Sequence, residues 1–252
     1  MKRLLFWRIP LTLALLAGGT FAWGFYMVAA GGAGVAVHDR EPARRNAPVP
    51  SQELRLLILG DSLARGTGDE TGMGIGGAVA AELARRGVKH RTPVNLAING
   101  ARTVDLLRQL ESSNVRRLIE VSDIVIVSVG GNDLFGDMEG RSVAPADPGA
   151  VMDDVLDRID RVIASIREAN PSVRIFLLGL YNPFRSLSDG ARVTSLVRDW
   201  NARLIDRFRE DANIEIVQTA DLFSHRDLLS LDRFHPGKEG YAIIGRRIAE
   251  GI

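Results

Sequence analysis

The sequence has no cysteine. That absence excludes a disulfide framework, a thiolate nucleophile, a cysteine-based zinc site and a lipidated N-terminal cysteine. It leaves the compartment open, because a large α/β core can be stable outside the cell without cross-links. Histidine is almost as scarce, with four in 252 residues, so an imidazole base has to be His38, His90, His225 or His235. An excess of one charge is missing too. The formal net charge is +1, and past residue 53 there are 26 Lys and Arg against 28 Asp and Glu. A near-neutral body gives no electrostatic reason for a nucleic-acid partner.

What is present begins with Lys2, Arg3 and Arg8, followed by a run from Ile9 to Val37 with no formally charged residue. About 20 apolar residues at 1.5 Å rise each span a bilayer, whereas a cleavable signal has an apolar stretch of only about 7 to 15. Residues 1–37 are therefore expected to be an N-terminal membrane anchor. The alternatives are a signal segment cut near Val28-Ala29-Ala30, which would leave a secreted or periplasmic protein, and a buried helix. Arg40, Arg44 and Arg45 balance the basic residues on the near side. A short N-terminal tail normally stays in the cytoplasm, which puts the rest of a single-pass protein outside it. Residues 38–53, with Pro42, Pro48 and Pro50, read as an extended linker, and the folded domain is expected over 54–252.

Within that domain five short apolar runs are bounded by Gly, Asn or Pro: 54–60, 94–98, 124–130, 174–180 and 214–219. They read as buried parallel strands. Between them lie amphipathic segments, the clearest being 151–168, where Val151, Val155, Ile159, Val162, Ile163 and Ile166 recur at helical spacing. Asp147-Pro148 supplies an N-cap and a first-turn proline, and Asn170-Pro171 a stop. Further helices are expected over 76–86, 103–118, 191–210 and 239–250. Strand-helix alternation implies right-handed crossovers and a parallel sheet covered on both faces, hence an α/β fold of three layers, α/β/α. Ligands in such sheets bind beyond the carboxyl ends of the strands.

Four short blocks stand at those ends. Gly60-Asp61-Ser62-Leu63 follows the first run, and a serine on such a turn can present its hydroxyl above the sheet. Gly100 follows the second run, where a glycine lets backbone approach a bound group. Gly130-Gly131-Asn132-Asp133 follows the third, and the Asn132 amide could donate to a developing negative charge. Asp232-Arg233-Phe234-His235 precedes the last helix. An Asp three residues before a His can accept the Nδ1 proton and leave Nε2 free as a base. Taken singly, each block is also ordinary turn chemistry. His235 has one serious rival, His225, with Asp221 four residues before it.

Together and in this order, Gly-Asp-Ser-Leu, Gly100, Gly-Gly-Asn-Asp and Asp-x-x-His resemble the four blocks of the SGNH/GDSL hydrolases across 54–252. The opening Gly-Asp-Ser-x-x-x-Gly-x-Gly-Asp also resembles a bacterial lipase/acylhydrolase-like subgroup with an N-terminal membrane segment. The resemblance implies a flavodoxin-like sandwich with a five-stranded parallel sheet ordered 2-1-3-4-5. It implies Ser62 as nucleophile, His235 as base and Asp232 as its orienting acid. The Ser62 and Gly100 backbone N–H groups and the Asn132 side chain would be oxyanion donors. No metal or organic cofactor is implied. The expected activity is serine esterase or acylhydrolase chemistry on a lipid, lysophospholipid or O-acetyl ester. The alternatives are an O-acyltransferase with the same residues and a catalytically silent anchored binding module. Phe135, Met138, Phe184 and Leu187 are candidates for an acyl pocket, and Asp69 and Glu70 either cap a turn beside Ser62 or contact substrate.

Overall fold

The computed structural model describes Trp23 and residues 53–136, 147–185, 188–224 and 228–252. The chain divides into two units, Met1–Val49 and Pro50–Ile252, and the sheet with its covering helices lies in the second. The expected anchor and linker lie outside the described residues except for Trp23 and Glu53. Among the described residues no helix is long and apolar enough to cross a membrane.

Five parallel strands form one sheet: β1 (Leu56–Gly60), β2 (Val94–Asn95), β3 (Ile124–Ser128), β4 (Arg174–Leu178) and β5 (Ile214–Val217). Their order is β2-β1-β3-β4-β5, as expected. β1 and β3 are buried along their whole length, which is why they read as continuous apolar runs: a strand covered on both faces has no polar side. Alternate side chains serve opposite layers. Leu57, Leu59, Val125, Val127, Ile175 and Leu177 join one apolar cluster, while Leu56, Ile58, Ile124, Ile126, Phe176 and Leu178 join the other.

The helices are α1 (Ser62–Arg65), α2 (Gly74–Arg85), α3 (Thr103–Leu110), α4 (Ser113–Val121), α5 (Gly131–Phe135), α6 (Pro148–Ala169), α7 (Gly190–Phe208) and α8 (Lys238–Gly251). The first cluster takes its helical half from α3, α4, α6 and α7, and the second from α1, α2 and α8. This is the expected three-layer sandwich. α6 begins as its sequence indicates, with the Asp147 side chain accepting from Ala150 N at 3.1 Å.

Two expectations need correction. The second run forms only a two-residue, exposed edge strand. The Asn95 side chain bends the chain there, donating to Ala64 O at 2.9 Å and accepting from Ala97 N at 3.0 Å. Backbone bonds to β1 nevertheless continue through Leu96 and Ile98. The single helix expected over 103–118 is two helices. Ser112 adopts an extended conformation (φ −66°, ψ 126°) as N-cap of α4, the position where a serine is favoured.

Candidate active site

The carboxyl ends of β1 and β3 meet at Gly60 and Ser128. Gly60 has φ 124°, and a Cβ there would lie 1.8 Å from Ser128 O, so only glycine lets the chain turn here. Asp61 follows. Its backbone N–H donates to Ser128 O at 2.9 Å, and its buried carboxylate accepts from Leu63 N at 3.1 Å and Ser128 Oγ at 3.0 Å. Asp61 thus caps α1 and fixes Ser62 as its first residue. Burial pushes the Asp61 carboxyl up to about 6, against the hydrogen bonds from Ser128 and the α1 backbone.

His235 reaches this turn from 173 residues away, with Nε2 2.8 Å from Ser62 Oγ. Its Nδ1 lies 2.7 Å from Asp232 Oδ2. Burial raises the Asp232 carboxyl, but bonds from the Ser230 and His235 side chains and from the Phe234 and His235 backbone outweigh it and hold the pKa at about 2. The loop is pinned by Ser230 N donating to His235 O at 2.8 Å. Tyr181 OH donates to Phe234 O at 2.7 Å. Arg233, in the loop between Asp232 and His235, takes a left-handed backbone conformation (φ 57°).

Asn132 stands on α5 and lines the same cavity as Ser62 and His235. Its Nδ2 donates to Ala101 O at 3.0 Å; an amide nitrogen has two protons, so a second remains for another acceptor. Gly100 (φ 75°) is exposed in the neighbouring turn. That turn is held on both sides, by Asn132 at Ala101 and by Thr67 Oγ1 donating to Asn99 Oδ1 at 2.9 Å. Ser62, Asn132, Asp232 and His235 therefore converge, and Gly100 lies in the loop that Asn132 and Thr67 anchor.

The rival histidine, His225, lies outside the described residues, and Asp221 is paired with Arg247 at 2.8 and 2.9 Å. Asp69 caps its own turn, accepting from Thr71 N and Oγ1 and from Gly74 N. Glu70 borders a surface groove with Asp232. Of the acyl-pocket candidates, Phe135 and Phe184 line the cavity beside Ser62, while Met138 and Leu187 lie outside the described residues.

Several residues near the site had no local signal in the sequence. Asp133 accepts from Thr103 N at 3.0 Å and Thr103 Oγ1 at 2.7 Å and pairs with Arg158, tying α5 to α3 and α6. Tyr181 and Phe234 act across 53 positions. A polar residue beside one of the four blocks was visible, but its partner was not.

A family model described as GDSL-like Lipase/Acylhydrolase matches residues 58–243. The chain is 30% identical over 209 residues to the uncharacterized protein YpmR of Bacillus subtilis (strain 168), covering 80% of this chain and 82% of that one. Among solved structures it is similar to the lipase Lip_vut3 from a goat rumen metagenome (TM-score 0.65, 22% identity, 78% of this chain and 96% of that one). It is also similar to a lipase/acylhydrolase from Enterococcus faecalis (TM-score 0.56, 20% identity, 79% and 95%). These two likenesses are of fold.

Proposed function

The chain belongs to the GDSL-like lipase/acylhydrolase family and is an ester-bond hydrolase; on that premise we propose that it is a serine esterase working through an acyl-serine intermediate. The observation that carries this reading is the unbroken line Asp232 Oδ2 to His235 Nδ1 (2.7 Å) and His235 Nε2 to Ser62 Oγ (2.8 Å). His235 takes the hydroxyl proton as Ser62 Oγ forms a bond to the ester carbonyl carbon, and Asp232 stabilises the imidazolium. The carbonyl electron pair moves to oxygen, where the Ser62 and Gly100 N–H groups and the Asn132 amide donate to it. Collapse breaks the carbon–oxygen bond to the alcohol, which leaves with the proton from His235. Water, deprotonated by His235, then attacks the acyl-serine and restores Ser62. Ester and water become acid and alcohol.

The test is labelling of the full-length protein by a fluorophosphonate, together with p-nitrophenyl acetate hydrolysis, for the parent, Ser62→Ala and His235→Ala. Labelling and turnover that vanish in Ser62→Ala are the expected result. Persistence of either in that variant would overturn the assignment. Product formed only when an alcohol acceptor is supplied would favour the acyltransferase reading.

The same proposal has residues 1–37 as an uncleaved anchor that holds the domain outside the cytoplasm. Its support is the uncharged run Ile9 to Val37 behind Lys2, Arg3 and Arg8. Retention in membranes after alkaline carbonate extraction is expected; a soluble product beginning near residue 31 would favour the secreted alternative.

A further inference from the structure

Resting on the esterase reading, we infer that the acyl half of the substrate is short, uncharged and apolar, and that Phe184 and Phe234 set its length limit. The cavity beside Ser62 has a volume of about 60 Å³. On this measure a water needs about 10–15 Å³, and a methylene is of similar size, so the cavity suits an acyl group of about four to six carbons. Its apolar walls are Phe135, Leu180, Tyr181, Phe184 and Phe234, and among the described residues no Lys or Arg lines it. An anionic acyl tail would meet no Lys or Arg from these walls and would face the buried carboxyl of Asp61, and a cationic one would have to give up its water in an otherwise apolar cavity.

The apolar cavity suits the acyl half for a kinetic reason. The alcohol must leave and water must enter while the acyl group is still bonded to Ser62. The turn with Asn99 and Gly100 exposed and Thr67 bonded to Asn99 is polar and open to solvent, as that exchange requires.

The wall is also coupled to the base. Phe184 stacks on Phe234 with centroids 5.6 Å apart, and Phe234 meets the His235 ring edge-on at 4.6 Å. The Phe234 carbonyl is held by Tyr181 OH. An acyl chain long enough to displace Phe234 moves His235 with it, so excess length lowers kcat and not only binding.

The experiment compares p-nitrophenyl acetate, butyrate and octanoate on the full-length parent, Phe184→Ala and Phe184→Leu. In the parent, kcat/KM should fall about 10- to 100-fold from butyrate to octanoate, mainly through kcat. Phe184→Ala should narrow that gap and Phe184→Leu should lie between. A rate that rises to octanoate, or an unchanged profile in Phe184→Ala, would overturn the length limit while leaving the esterase reading intact. No turnover on any ester together with no phosphonate labelling of Ser62 would overturn the esterase reading and this inference with it.

Discussion

Asp232 Oδ2 lies 2.7 Å from His235 Nδ1, and the other oxygen of the same carboxylate accepts from Ser230 Oγ, Phe234 N and His235 N. One side chain thus orients the imidazole and folds the loop that carries it. Its pKa of about 2 keeps it ionised across the neutral and mildly acidic range. Because the folded value is depressed below the ordinary 3.8, its contribution to stability is present above that ordinary value and is lost as pH falls toward about 2.

Asp232→Asn should keep the loop nearly in place but present the wrong group to Nδ1. Its kcat on p-nitrophenyl acetate is expected to fall about 10³- to 10⁴-fold with an unchanged far-UV circular dichroism spectrum. A loss under tenfold would remove Asp232 from its assigned role.

Asn132→Ala removes the proposed oxyanion donor and also releases Ala101 O. Turnover should drop about 10²- to 10³-fold, with KM changing much less. Steady-state kinetics of the variant check this, and full turnover would contradict the role.

Asp61 is the opposite electrostatic case to Asp232. Its carboxyl is raised from 3.8 to about 6 by burial, so the folded state holds its proton more tightly than the unfolded state. That favourable contribution is complete below the unfolded value and is lost as pH rises through about 6. The shift corresponds to roughly 3 kcal/mol. Asp61→Asn should therefore flatten the decline of stability between pH 4 and 7, measured by urea denaturation, and lose little stability at pH 8.

Gly68 has φ 92°, and a Cβ there would lie 2.8 Å from His235 Cβ and 2.7 Å from Pro236 O. Gly68→Ala should push the His235 loop away from Ser62 and cut kcat by about 10²-fold or more. Gly72, with φ 70° and nothing within 4 Å of an added Cβ, is the control. Gly72→Ala should cost only about 1 kcal/mol of backbone strain and keep its activity.

Thr67 Oγ1 donates to Asn99 Oδ1 at 2.9 Å, next to Gly100. Thr67→Val keeps the shape but loses this bond, and should lower kcat by about 10-fold with KM nearly unchanged. Thr67→Ser, which retains the hydroxyl, should restore the rate. Equal effects of the two substitutions would show that the bond does not position the Gly100 turn.

The strands and long helices are legible in the sequence because their information is local. A continuous apolar run such as Ile124–Ser128 marks a doubly covered strand, and the spacing from Val151 to Ile166 marks one buried helix face. The break at Ser112 leaves a faint trace: the buried positions step by four from Leu106 to Leu110 and from Val115 to Ile119, but by five between Leu110 and Val115, across the polar Glu111-Ser112-Ser113-Asn114. The second run looks longer as a strand than it is because Asn95 satisfies its neighbours through its side chain, which composition does not reveal.

By itself, the sequence determined the layer architecture, the four blocks at the strand ends and the pairing of Asp232 with His235, since three-residue spacing limits how those two can meet. Only the tertiary structure decided that Ser62 and His235, 173 residues apart, stand 2.8 Å from each other. It also decided that Asp61 is buried beneath them and that Phe184 and Phe234 form one wall of the cavity. The physical reason is range: periodicity and turn chemistry act over a few residues, while a site at the edge of a parallel sheet is assembled from loops that meet only after the strands have paired.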